Sequence, residues 1–80
     1  MKPLIRIIDD EPEVRSSLSY LFEQEGWQTQ AYESAEAFLA GDAPSVPGCI
    51  VLDVHMKKMS GPQLQEVLNS RGITLPVIFF

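Results

Sequence analysis

Three short apolar runs and one mixed polar and apolar segment predict strands, and segments with helical periodicity lie between them. Leu4–Ile8, Cys49–Leu52 and Leu75–Phe80 have the length and apolar density of strands in a parallel sheet. Trp27–Tyr32 alternates polar and apolar residues less cleanly and predicts a strand at the edge of the sheet. The intervening segments predict helices that begin at Pro12, Ser34 and Gly61 and end at Glu25, Gly41 and Gly72. This alternation, with right-handed crossovers, predicts an α/β fold with a doubly wound parallel sheet.

Residues at the helix ends support this division. Pro12 suits a first helical turn because the N–H that it lacks would be unpaired there. Ser34 predicts an N-cap, and Gly26 predicts the end of the first helix. The apolar residues of that helix share one face at helical spacing, and they are Val14, Leu18, Leu21 and Phe22.

Arg6 departs from the apolar pattern of the first strand. A central strand covered on both faces is expected to be apolar throughout. Because a long basic side chain can extend its charged end to water, we expect Arg6 to reach solvent at the amino edge of the sheet.

Composition and charge restrict the functions that the segment can have. The 80 residues are 45% hydrophobic and carry a net charge of −5, which is globular composition for one small domain or part of one. The negative charge argues against contact with nucleic acid or an anionic membrane. Cys49 is the single cysteine, so the chain holds no internal disulfide. Without a signal-like or membrane-length apolar stretch, the sequence predicts a soluble, cytoplasmic protein.

Acidic residues follow two of the predicted strands. Asp9 and Asp10 come directly after the first, and Asp53 follows the third. Carboxyl ends of parallel strands meet at one edge of a sheet, so the three carboxylates are expected to converge there. Like charges raise one another's pKa unless a cation lies among them, and Mg²⁺ prefers oxygen ligands.

The roles of the three acids differ. Because consecutive residues of a strand point to opposite faces, at most one of Asp9 and Asp10 is expected to face a ligand directly. Asp53 can bind the cation through one oxygen and attack phosphorus through the other, since aspartyl phosphates are known covalent intermediates. Alternatively, Asp10 or Glu11 merely caps the next helix.

The segment from Asp53 to Gly61 resembles the phosphoacceptor segment of bacterial response-regulator receiver domains. Met56, Met59 and Gly61 match the family pattern, whereas Lys57 replaces its proline. The segment from Ile7 to Arg15 is similar to the acidic-pair segment of the same family. The resemblance is closest to the branch in which a receiver precedes a DNA-binding helix-turn-helix domain.

The resemblance implies a flavodoxin-like fold with strand order 2-1-3-4 and a signalling function. Asp53 would be phosphorylated by a partner sensor histidine kinase to control an output such as transcription. Asp10 would bind Mg²⁺ directly and Asp9 directly or through water. His55 would contribute its backbone carbonyl, and Mn²⁺ or Ca²⁺ could replace Mg²⁺.

Compared with the family, residues 1–80 are expected to form an incomplete receiver domain. A fifth strand and two further helices are missing, together with a hydroxyl and a lysine that contact the phosphoryl group. The output domain also lies outside the chain. The fourth strand then forms an apolar edge with Val77, Ile78, Phe79 and Phe80, which predicts a homo-oligomer, for example through exchange of elements.

Two other functions remain open at this point. A Mg²⁺-dependent phosphatase with an aspartyl nucleophile commonly needs a carboxylate where this chain has His55, so the sequence favours a regulatory domain that is not an enzyme. A non-phosphorylated interaction module with the same fold is the other alternative, and Lys57 together with the missing elements supports it.

Overall fold

One four-stranded parallel sheet organises the computed structural model, which describes residues 3–54, 56 and 59–80. Its strands are β1 (Leu4–Ile8), β2 (Gln28–Tyr32), β3 (Gly48–Leu52) and β4 (Val77–Phe79). The helices between them are α1 (Pro12–Gln24), α2 (Ala35–Gly41) and α3 (Gly61–Ser70). The strand order is β2-β1-β3-β4, with every neighbouring pair parallel. The predicted α/β class and strand order are confirmed.

Alternation along β1 and β3 distributes apolar residues to both faces of the sheet. On one face, Ile5, Ile7 and Val51 pack beneath Leu18 and Phe22 of α1. The other face carries the larger core, in which β1 and β3 meet α2 and α3. Its fully buried members are Ile8, Phe38, Ile50, Leu52, Leu64 and Leu68.

Local hydrogen bonds explain where the helices begin. The Ser34 hydroxyl accepts a hydrogen bond from the Ala37 N–H at 3.0 Å, which caps α2 as predicted. Ser60 and Gln63 form a reciprocal capping box at the start of α3. In α1 the predicted apolar face is only partly covered, because Leu21 remains 59% exposed.

Arg6 is fully buried, and the expectation that it reaches solvent is wrong. Its Nε donates to the Asp42 carboxylate at 3.0 and 3.3 Å. Its Nη1 and Nη2 atoms donate to three backbone carbonyls at 2.7–3.1 Å, those of Leu4, Ala43 and Val46. Tyr32 completes the cluster by donating its hydroxyl to Asp42 at 2.9 Å. Arg6 therefore fastens the loop between α2 and β3 to the amino edge of the sheet.

Two close contacts fix the ends of strands. A Cβ on Gly48 would lie 1.9 Å from the Leu4 carbonyl oxygen, so β3 can approach β1 there only with glycine. A Cβ on Gly61 would lie 2.8 Å from the ring of Phe79, which shows how tightly α3 begins against β4.

The outer edge of the sheet is apolar, as the sequence indicated. In and beyond β4, Ile78 is 54% exposed, and Phe79 and Phe80 are also exposed. Across the described part of the chain, the helices all lack the length or the apolar character needed to span a membrane.

Candidate metal centre

The backbone brings Asp9 and Asp53 to the same edge of the sheet. The Asp53 N–H donates to the Ile8 carbonyl at 3.1 Å, and the Asp9 N–H donates to the Tyr32 carbonyl at 3.2 Å. Both residues therefore continue the strand pairing by one position beyond β1 and β3. One carboxylate oxygen from each of Asp9, Asp10 and Asp53 lies within 4.8 Å of the others. We call these residues the acid cluster.

Asp9 is the most buried member of the acid cluster, with 2% of its surface exposed. One carboxylate oxygen accepts a hydrogen bond from the Glu11 N–H at 2.8 Å. Burial raises the pKa of Asp9, and the negative charges of Asp53 and Asp10 raise it further. The Glu11 N–H and the positive charge of Arg15 act in the opposite direction on this pKa.

Asp10 is half-buried and also presents an oxygen to the cluster. The expectation that only one of two consecutive acids faces a shared point does not hold, because strand alternation stops at Ile8, where β1 ends. The capping alternative gains no support from Glu11. Within the described residues, its side chain makes no capping hydrogen bond to α1.

Arg15 is the residue of this region that sequence reasoning did not identify as part of the site. It lies on α1, half-buried, and its Nη1 donates to the Asp9 backbone carbonyl at 2.8 Å. A signal for it exists in the sequence, since one turn into a helix is the place from which a long side chain can return to the preceding loop.

A cavity of about 250 Å³ opens beside Asp10. It lies between the start of α2 and the segment that follows Asp53, and its walls are formed by Asp10, Glu33, Ser34, Ala35, Glu36, Met56 and Met59. Met56 is buried there. The predicted carbonyl ligand His55, together with Lys57 and Lys58, lies outside the described residues.

The chemistry of the acid cluster fits a hard divalent cation. Three carboxylates each offer an oxygen atom, and these atoms lie close enough to bind the same ion. Mg²⁺ typically binds one or two carboxylates and keeps water in its remaining positions. The adjoining cavity provides room for water and for a ligand. Asp9, Asp10 and Asp53 are thus the residues that would hold such an ion.

Comparison with known proteins agrees with this geometry. Residues 5–80 match the response regulator receiver domain family. The chain belongs to this family. Phosphorylation and Mg²⁺ binding are typical of receiver domains, which interact with sensor histidine kinases.

Several relatives of this receiver domain are transcriptional regulators. It is 45% identical over 73 residues to the transcriptional regulatory protein TdiR of Thauera aromatica, covering 91% of this chain and 32% of TdiR. It is 43% identical over 74 residues to the transcriptional regulatory protein FixJ of Azorhizobium caulinodans, covering 92% of this chain and 35% of FixJ. The chain thus spans about a third of the length of these relatives.

Solved structures show the same fold. The response regulator StyR superposes with a TM-score of 0.94 at 35% identity, over 99% of this chain and 40% of that chain. The crystal structure of FixJ-N gives a TM-score of 0.89 at 39% identity, over 99% of this chain and 63% of that chain.

Proposed function

We propose that this receiver domain is a phosphoacceptor switch in which Asp53 is phosphorylated, with Mg²⁺, by a partner sensor histidine kinase. The observation that carries the proposal is the convergence of Asp9, Asp10 and Asp53 within 4.8 Å at the carboxyl edge of the sheet. An acid cluster in that position, in a member of this family, matches the chemistry of phosphoryl transfer to a carboxylate.

The residues of the chain divide the work of the transfer. A carboxylate oxygen of Asp53 attacks phosphorus, the bond from phosphorus to the donor nitrogen breaks, and its electron pair stays on the leaving imidazole. Asp9, Asp10 and Asp53 would hold the divalent ion, and His55 would add its carbonyl. The bound Mg²⁺ would offset the charges of the carboxylates and of the phosphoryl group. The cavity that opens beside Asp10 would give the phosphodonor room next to the acid cluster.

The role is regulatory, and the output is transcription in the cytoplasm. TdiR and FixJ are transcriptional regulatory proteins by name, which supports an output domain with a DNA-binding helix-turn-helix outside these 80 residues. We assign no nucleic-acid or membrane contact to this segment because its net charge is −5.

The 80-residue chain would also associate with itself. Ile78, Phe79 and Phe80 expose an apolar edge strand, which favours pairing with a second copy. The molar mass in solution, measured by light scattering, tests this, and a stable monomer at high concentration would exclude it.

Phosphorylation is the direct test of the switch. Both the 80-residue chain and a longer version with the remaining receiver elements are incubated with Mg²⁺ and phosphoramidate, or with beryllofluoride. We expect a hydroxylamine-labile phosphoryl group on Asp53 of the longer form, lost in Asp53→Asn and after removal of Mg²⁺ with EDTA. Glu66→Gln, which makes the same acid-to-amide change on an exposed residue of α3, should be labelled normally.

Other outcomes would replace the proposal. Steady release of phosphate from simple phosphate monoesters would identify a phosphatase instead. If neither form responds to the phosphodonor or to beryllofluoride, the domain is an interaction module that is not phosphorylated.

A further inference from the structure

Arg15 binds the peptide group that joins two members of the acid cluster. Its Nη1 lies 2.8 Å from the carbonyl oxygen of Asp9, and that carbonyl belongs to the peptide bond between Asp9 and Asp10. The guanidinium therefore orients the turn that presents both carboxylates. It does so through the backbone, so the contact itself uses none of the carboxylate oxygens that would bind a cation.

The charge of Arg15 also acts on the cluster. Like charges within 4.8 Å repel one another strongly in a partly buried site, and the positive charge of Arg15 opposes this repulsion at Asp9. The other two arginines lie away from the cluster, since Arg6 pairs with Asp42 and the exposed Arg71 lines a small cavity together with Asp42 and Pro44.

We propose that Arg15 is a built-in counter-cation that keeps the acid cluster assembled without a divalent ion and thereby weakens the binding of that ion. The metal half of this inference rests on the proposed function. A guanidinium and a divalent cation that both oppose the negative charge of Asp9 repel each other, so their effects are coupled. Linkage requires the coupling to be reciprocal. Binding of the ion should therefore restore the folding stability that is lost with the charge of Arg15.

The experiment compares Arg15→Gln, Arg15→Lys and the matched control Arg71→Gln. Mg²⁺ affinity is measured by calorimetry, and unfolding by urea is followed in EDTA and in saturating Mg²⁺. We expect Arg15→Gln to unfold at lower urea in EDTA, to bind Mg²⁺ about fivefold more tightly, and to regain most of its lost stability when Mg²⁺ saturates. Arg15→Lys, which keeps the charge, and Arg71→Gln should both bind Mg²⁺ as the wild type does.

The possible outcomes distinguish failure of the role proposed for Arg15 from failure of the proposed Mg²⁺ site. If Arg15→Gln loses the same stability with and without Mg²⁺, or binds Mg²⁺ no more tightly than the wild type, Arg15 is only a structural contact and the inference fails. Should Arg15→Gln not fold in EDTA, its refolding on addition of Mg²⁺ would support the inference, and failure to refold would overturn it. If the wild type itself binds no divalent ion, the proposed metal site fails, and the coupling fails with it.

Discussion

Two buried carboxylates lie at opposite edges of the sheet and have opposite surroundings. Asp42, with its side chain 3% exposed, is paired with Arg6 at 3.0 Å and accepts the Tyr32 hydroxyl at 2.9 Å. Asp9, 2% exposed, accepts one backbone N–H and lies among two other carboxylates. Both side chains are buried, so burial alone does not tell a structural acid from a functional one. The charge of the neighbours does.

Free energy explains why the two arrangements have different uses. A buried charge is tolerated when a partner charge and hydrogen bonds replace water, and Arg6 with Tyr32 meets that condition for Asp42. A group of like charges raises the energy of the folded protein until a cation enters, and Arg15 opposes only part of this effect, because the pKa of Asp9 is still raised. Arg6, Tyr32 and Asp42, which we call the amino-edge cluster, therefore compensate one another without an external ion, whereas the acid cluster favours binding of one.

The largest effect is expected at Arg6. Arg6→Met leaves the Asp42 charge buried without its partner and removes the three hydrogen bonds that Arg6 donates to backbone carbonyls. Loss of one partner of a buried pair costs about 3–5 kcal/mol in the free energy of unfolding. Urea denaturation followed by the fluorescence of Trp27, the one tryptophan, measures it.

Arg71→Met removes an exposed arginine and should change stability by less than about 0.5 kcal/mol. The double variant Arg6→Met with Asp42→Asn should lose less unfolding free energy than the two single variants lose in sum, because both charges are removed together. If Arg6→Met lowers the free energy of unfolding no more than Arg71→Met does, Arg6 does not compensate the buried charge of Asp42 and the contrast between the two edges is wrong.

The same acid-to-amide substitution should have opposite effects on the free energy of unfolding at the two edges of the sheet. Asp10→Asn removes one of three mutually repelling charges, so without metal we expect the free energy of unfolding to rise by about 1 kcal/mol. Asp42→Asn removes half of an ion pair and should lower it. Urea denaturation in EDTA and in Mg²⁺ measures both.

Added Mg²⁺ provides a further contrast between these variants. It should stabilise Asp42→Asn as much as it stabilises the wild type, and Asp10→Asn much less, because one ligand is lost. A destabilised Asp10→Asn in EDTA, or one that still gains full stability from Mg²⁺, would contradict the assignment of repulsion to the acid cluster.

The acid cluster was more predictable than the amino-edge cluster for a topological reason. Asp9 and Asp53 follow apolar strands directly, and the carboxyl ends of adjacent parallel strands must meet. Arg6 and Asp42 are separated by 36 residues, and Asp42 ends a helix where nothing in the local pattern indicates a partner. The sequence predicted that Arg6 was unusual, but its partner depended on where α2 ends in space.

The limits of the strands show the same dependence on tertiary contacts. Propensity predicted a fourth strand over Leu75–Phe80, whereas β4 comprises Val77–Phe79. Pro76 has no N–H to donate to a ladder, although its carbonyl accepts from Ile50 at 2.9 Å. Arg15 was missed as a site residue because its partner is a backbone carbonyl, so the only signal in the sequence was its position one turn into α1.

The smallest expected effect concerns Tyr32, which donates its hydroxyl to Asp42. Burial, then the hydrogen bond to Asp42 and its charge, raise the pKa of Tyr32 to about 12, with Arg6 acting weakly in the opposite direction. Tyr32→Phe removes that hydrogen bond and should cost about 1 kcal/mol at neutral pH. Tyr20→Phe, at an exposed position, should cost less.

The pH dependence of this loss distinguishes a hydrogen bond to Asp42 from simple packing. Because the folded state keeps the Tyr32 proton to about pH 12, whereas the unfolded chain releases it near its ordinary value of 10.0, the stability that Tyr32 contributes is complete below pH 10 and disappears as the pH rises toward 12. The difference in unfolding free energy between wild type and Tyr32→Phe should therefore shrink across that interval. A constant difference would mean that the ring packs against Phe38 without its hydroxyl stabilising Asp42, and that Arg6 compensates the buried carboxylate alone.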